Sequence, residues 1–182
     1  VLAPAAGGDA QGPRSALLLL SGSAGDRYRH EVEVRNLTGR RGFGIVGMVF
    51  GYSNATSYNI LGLDPEFSRI ELWHRSASGF EPLASARFDI TDEWLNFSLN
   101  ADRDRVMVQA GNQTLFDLRD PRFAGPRIGL ATFGTKYWPA VWRRQSFTTG
   151  GKSLPPKEAD DLLALHLGAR ALLLEPPSLD RW

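Results

Sequence analysis

From Ala16 to Thr149 the chain is cut into short apolar or alternating runs, each bounded by Gly, Pro, Asn, Asp or Ser. A spacing of roughly eight to twelve residues, with no ten-residue helical pattern between runs, is that of an all-β sandwich or barrel and excludes a βαβ sheet. It predicts strands near 16–21, 28–36, 43–52, 57–63, 68–75, 82–88, 94–99, 104–109, 113–117, 127–133 and 141–148. The turn chemistry agrees. Gly51-Tyr52-Ser53-Asn54 separates two runs, Asp64-Pro65 stops the next, Ser76-Ala77-Ser78-Gly79 makes a hairpin, and Ala110-Gly111-Asn112 makes another.

Period-2 alternation assigns faces within these strands. Ile70, Leu72 and His74 share one side, and Glu71, Trp73 and Arg75 the other. Trp94 is out of phase with Leu95, Phe97 and Leu99, so Trp73 and Trp94 are expected on polar faces. Gly42 to Phe50 is apolar on both parities and is expected as a central strand covered on both sides.

The chain has 182 residues, 42% hydrophobic and 23% charged, enough for one packed domain with a terminal appendage. Lys and Arg total 21 against 20 Asp and Glu, a formal charge of +1, so no dominant basic field points to nucleic acid. No apolar run approaches the roughly 18 residues of a membrane helix, which argues against direct membrane insertion. Without cysteine there is no disulfide, thiolate nucleophile or sulfur-based zinc site. Four asparagines, Asn36, Asn54, Asn96 and Asn112, head N-glycosylation acceptor patterns, where about one chance match is expected. That excess predicts a protein of the secretory-pathway lumen or extracellular space, and the start at Val1 suggests a processed protein or an excised piece.

Four segments follow from the composition. Residues 1–15, rich in Ala, Gly and Pro, read as a flexible arm; 16–149 as the β-sandwich; 150–156 as a linker; and 157–182 as a leucine-rich helix and tail. The helix carries acids early (Glu158, Asp160, Asp161) and Arg170 late, and Pro176-Pro177 ends it. Its leucines predict docking on this sandwich, another domain or another subunit.

Six fragments then recur in order: Phe43 to Tyr52, Ser57 to Leu61, Arg69 to Trp73, Glu93 to Leu99, Asp104 to Val108, and Asp117 to Leu130. The series resembles concanavalin A-like lectin/glucanase sandwiches of the laminin G-like kind, over residues 16–149. The resemblance implies a two-sheet antiparallel β-sandwich, a jelly roll, here with a C-terminal α-helix. It also implies a binding module for a glycan or extracellular protein, as in secreted, glycosylated or adhesive proteins. The run ending in Ile128-Gly129-Leu130 suits a strand packed so closely that only glycine fits at one position.

Relatives that cleave β-glucans carry alternating acids on one strand, and this chain has no such run. The nearest cluster, Asp89, Asp92 and Glu93, has the wrong spacing for a carboxylate pair and reads as a solvated turn. His30, His74 and His166 form no recognisable triad or metal motif, and His74 is expected inward as a satisfied core residue. The reading is therefore non-catalytic recognition, with two alternatives: a hydrolase or lyase drawing on Asp89, Asp92, Glu93 and His74, or a structural assembly domain. Calcium is the one cofactor the loop-edge aspartates suggest, with Asp64, Asp102 and Asp104 as candidates beside Asp117 and Asp120. Against it, the interposed arginines oppose a cation, and Asp102-Arg103-Asp104 reads first as a hairpin turn. The candidate ligand surface is aromatic: Tyr137, Trp138 and Trp142 with Arg143, joined by Tyr52, Tyr58 and Trp73.

Overall fold

The computed structural model describes residues 2–4, 14–19, 24–36, 44–64, 67–89, 94–134, 140–149, 152–157 and 164–165. Along these the strands are β1 (Leu2–Pro4), β2 (Arg14–Leu19), β3 (Arg27–Asn36), β4 (Gly44–Asn54), β5 (Ser57–Asp64), β6 (Arg69–Ser76), β7 (Gly79–Arg87), β8 (Leu95–Asp102), β9 (Arg105–Ala110) and β10 (Gln113–Arg119). A short 3-10 turn, Pro121–Phe123, leads to β11 (Arg127–Gly134), β12 (Ala140–Thr149), β13 (Lys152–Lys157) and β14 (Ala164–Leu165). Every pairing is antiparallel. The first sheet runs β1-β2-β11-β4-β5-β6-β7, and the second β10-β9-β8-β3-β12-β13, with β14 also on β12.

All eleven runs expected from the alternation are strands, with ends shifted by a few residues. Three further strands lie where the sequence suggests none. Leu2–Pro4, in the expected arm, pairs with Ala16 to Leu18 of β2. Lys152–Lys157, in the expected linker, pairs with β12, and its two prolines fall where the register shifts between Gln145 and Phe147. An edge strand at a bulge tolerates proline because the missing N–H has no ladder to serve. Ala164–Leu165 pairs with Ala140 and Val141 further along the same β12 edge, so these two residues of the expected helix are extended. The rest of that helix, with His166, lies outside the described residues.

The core fills the space between the sheets. Met48, Phe50, Leu61, Leu63, Ile70, Leu72, Ile128 and Leu130 from the first sheet meet Tyr28, Val32, Phe97, Leu99, Val106, Val108 and Phe116 from the second. Each such side chain contributes about 1.5–3 kcal/mol on burial. β4 is the middle strand of its sheet, as its two-sided apolar pattern requires: Met48 and Phe50 face the core, while Val49 is fully buried on the other face. There it joins Leu17, Leu19, Tyr52, Tyr58 and Ile60 in a second apolar layer.

Two polar features sit within this frame. On β3 the alternation Arg27-Tyr28-Arg29-His30-Glu31-Val32 turns His30 inward, fully buried, and neither ring nitrogen has a hydrogen-bond partner among the described residues. Where β4 passes the loop after β10, Gly51 takes φ +57°, and a Cβ there would lie 2.5 Å from the Phe123 carbonyl oxygen and 2.8 Å from Asn59 Nδ2. A Cβ on Gly125, just before β11, would lie 2.4 Å from the Gly51 carbonyl, so this approach of two backbones needs glycine on both.

Candidate functional site

The outer face of the first sheet, away from the core, carries the aromatic cluster. Four cross-strand rows span β5, β6 and β7: Tyr58, Arg75, Phe80; Ile60, Trp73, Pro82; Gly62, Glu71, Ser85; and Asp64, Arg69, Arg87. Residues facing each other across antiparallel strands point to one side, so each row is a line of neighbours. Tyr52 and Tyr58 lie 5.6 Å apart by ring centroid, and Tyr58 meets Phe80 edge-on at 6.2 Å. Both tyrosines are buried and form the floor. Trp73, Arg75 and Phe80 are half-buried, while Pro82, Ser85 and Arg87 are exposed.

The indole of Trp73 is held in place. Its Nε1–H donates to Glu71 Oε2 at 2.9 Å, and Arg69 Nε donates to Glu71 Oε1 at 2.8 Å. Glu71 is therefore a buried carboxylate with both oxygens engaged, as burial of a charge demands. Arg75 stacks over Phe80, 5.0 Å from the ring centroid. Phe67, in the turn before β6, is 55% exposed, with Arg69 4.6 Å over its ring. The result is an accessible strip of aromatic rings and guanidinium groups along β6 and β7.

On the core side of the same strands, His74 Nδ1 lies 3.0 Å from Asn59 Oδ1. Asn59 Nδ2 donates to the carbonyls of Arg122 at 2.7 Å and Phe50 at 3.4 Å, which fixes the amide and places the imidazole proton on Nδ1. Burial, then the Arg122 charge, lowers the His74 pKa below the ordinary histidine value. Arg122 also grips Asp120 Oδ2 at 2.6 Å and Glu81 Oε2 at 3.0 Å, joining β7 of one sheet to the loop after β10 of the other. His74 is thus the satisfied inward histidine the alternation predicts. It is not brought to Asp89, which lies beyond the end of β7 opposite Glu81; Asp92 and Glu93 lie outside the described residues.

The candidate calcium ligands are engaged otherwise. Asp102 pairs with Arg27 at 2.9 Å, Asp104 with Arg119 at 3.9 Å, and Asp117 with Arg105 at 2.6 Å. Asp102 ends β8 and Arg103, at φ 56°, and Asp104 form the hairpin turn expected there. Asp64 ends β5 opposite Arg69. Among the described residues no three His, Asp or Glu gather as a metal site.

Of the expected aromatic surface, Tyr52, Tyr58 and Trp73 come together. Trp142 and Arg143 stand in β12 opposite Val34 and Glu33, in the other sheet. Tyr137 and Trp138 lie outside the described residues. Of the glycosylation candidates, Asn54, Asn96 and Asn112 are exposed, and Asn36 ends β3. Asn54 Oδ1 accepts from Thr56 N at 2.9 Å, holding the β4–β5 turn.

No protein-family model matches the sequence, and no curated protein matches it. Solved structures do. The chain is similar to the carbohydrate binding module CBM66 from Bacillus subtilis, with a TM-score of 0.56 and 16% identity over 74% of this chain and 92% of that one. It is similar also to a Bacillus subtilis protein of unknown function with a galectin-like fold, at 0.53 and 12%, over 76% of this chain and 79% of that one. The fold is a jelly-roll β-sandwich. At such identities the likeness is one of architecture alone, and the choice of ligand rests on the side chains.

Sequence reasoning missed Arg75 as a site residue, and missed Phe80 and Arg87 as members of the face that carries Trp73. The alternation of Glu71, Trp73 and Arg75 already places those three on one face, but which strands flank β6, and in what register, needs the pairing.

Proposed function

We propose that this chain is a non-catalytic recognition module that binds a glycan on the outer face of β5, β6 and β7. The observation that carries the reading is Trp73: an indole half-open to solvent and tied by its N–H to the buried Glu71, beside Arg75 and Ser85. A preset aromatic ring offers a flat apolar surface to the C–H face of a sugar without ordering cost, and neighbouring guanidinium and hydroxyl groups supply hydrogen bonds. The carbohydrate binding module of similar fold supports this choice. A secreted or cell-surface protein of the laminin G-like kind is the setting we favour, on the strength of four acceptor asparagines, three of them exposed.

Recognition is preferred to hydrolysis because Glu71, Glu81, Asp102, Asp117 and Asp120 each contact an arginine, which leaves none of these five as a free acid-base pair. A broad glycan array probed with the whole chain and with Trp73→Ala tests the proposal. A specific signal that disappears in the variant is expected. A blank array for the wild type, or a signal that survives Trp73→Ala, overturns it.

A further inference from the structure

The strip beside Trp73 carries more positive charge than it neutralises. Among the described residues three arginines share this face, Arg69, Arg75 and Arg87; Glu71 pairs with Arg69 at 2.8 Å, and Asp64 stands at the register position opposite Arg69 in the ladder. Arg75 meets no carboxylate among the described residues; its guanidinium stacks on Phe80. Arg87 is exposed, has no acidic partner among the described residues, and stands directly across from Arg69, a like-charged cross-strand pair that costs stability. We infer that the glycan recognised here is anionic, a sugar chain bearing carboxylate or sulfate groups, with Arg75 and Arg87 receiving two of them at the ends of the strip. This rests on the proposed glycan-binding face.

The geometry sets the size of the ligand. Arg75 and the Arg69–Arg87 row are six residues apart along β6, roughly 20 Å at 3.3 Å per residue. That is the span of an oligosaccharide, not of a single sugar. Between the two arginines lie Trp73 with Pro82, then Glu71 with Ser85, so the aromatic ring falls between the charged ends. Phe67 adds a second exposed ring at the Arg87 end. Guanidinium groups hold carboxylate and sulfate alike, by paired N–H donors. A neutral chain would leave both charges uncompensated against the sheet.

Three probes of equal length separate the possibilities: an oligogalacturonate, a sulfated glycosaminoglycan fragment and a neutral galactan oligosaccharide, titrated calorimetrically against the whole chain. At about 0.05 M salt at least one anionic probe is expected to bind about tenfold tighter than the neutral one, and the advantage is expected to shrink as salt rises. Arg75→Gln and Arg87→Gln together are expected to remove the advantage, bringing the anionic affinity down to that of the neutral probe, without lowering the melting temperature. Trp73→Ala removes binding of all probes. The oligogalacturonate carries carboxylates alone, so its equal or tighter binding shows that carboxylate suffices, and tighter binding of the sulfated fragment shows that sulfate adds to it. Equal or tighter binding of the neutral probe, or an anionic preference that survives the arginine variants, overturns the inference and leaves glycan binding intact. Failure of every probe overturns both.

Discussion

Replacing His30 by leucine should make the protein more stable, by an amount that grows as the solution is acidified. The imidazole is sealed between the sheets, opposite Leu99 on one side and Phe147 on the other, with an unmet donor and an unmet acceptor. An unsatisfied buried polar group costs about 1–3 kcal/mol, so an apolar side chain of similar size should stabilise by about 2 kcal/mol at pH 7, about 4–8 °C in Tm. Burial pushes the His30 pKa down to about 3, while an unfolded histidine titrates near 6.5. Between those values the unfolded chain binds a proton that the folded chain does not, so stability falls with pH by about 1.4 kcal/mol per unit; above 6.5 the effect vanishes. From pH 7 to pH 5 the wild type therefore loses about 2 kcal/mol that His30→Leu keeps, and the gap widens from about 2 to about 4 kcal/mol. Urea unfolding of both proteins at the two pH values measures it. His74 is present in both and cancels from the difference. A gap that does not change with pH, or a variant less stable than the wild type at both values, would refute the argument.

Other outcomes follow from the loop after β10 and from the sugar acceptors. Gly51→Ala should destabilise by at least about 2 kcal/mol in chemical unfolding, since it combines a left-handed backbone with a Cβ against the Phe123 carbonyl. Arg122→Gln frees Glu81 and Asp120, and a loss of about 1 kcal/mol is expected, the pair being partly exposed. The hydrogen bond from Arg122 holds the Asp120 carboxyl below the usual range, so its contribution is present above the unfolded value and lost as acid protonates it; the variant's denaturation curve should flatten below about pH 4. Expressed in a secretory host, the chain should gain glycan mass at Asn54, Asn96 and Asn112, removed site by site in Asn→Gln variants; a bare-polypeptide mass would defeat the secretory reading.

The strands from β2 through β12 were legible because alternation, or in β4 a continuous apolar run, is a property of consecutive residues. What failed were segments whose extended form is imposed by a neighbour. Pro155 and Pro156 read as a linker until β12 offers them an edge with a bulge. The inward position of His74 was readable, but its partner Asn59 and the Arg122 carbonyl behind that are 63 residues apart, and no period links them. Grouping Trp142 with Trp73 failed for a related reason. Alternation says which way a side chain points relative to its strand and is silent on which of two sheets the strand joins.

The place of β2 in the ladder sets a constraint on how the protein is made. Its partners are the three-residue β1 and β11, and Leu17 faces Ala131, so its long partner leaves the ribosome roughly 110 residues later, about 6 to 22 s at ordinary elongation rates. The meanders β4 to β7 and β8 to β10 can close as they emerge, since their contacts are local. Throughout that interval Arg-Ser-Ala-Leu-Leu-Leu is an open apolar strand edge on a nascent chain. Only the return of β11 closes that edge, so β2 offers a holdase chaperone an apolar strand through most of synthesis.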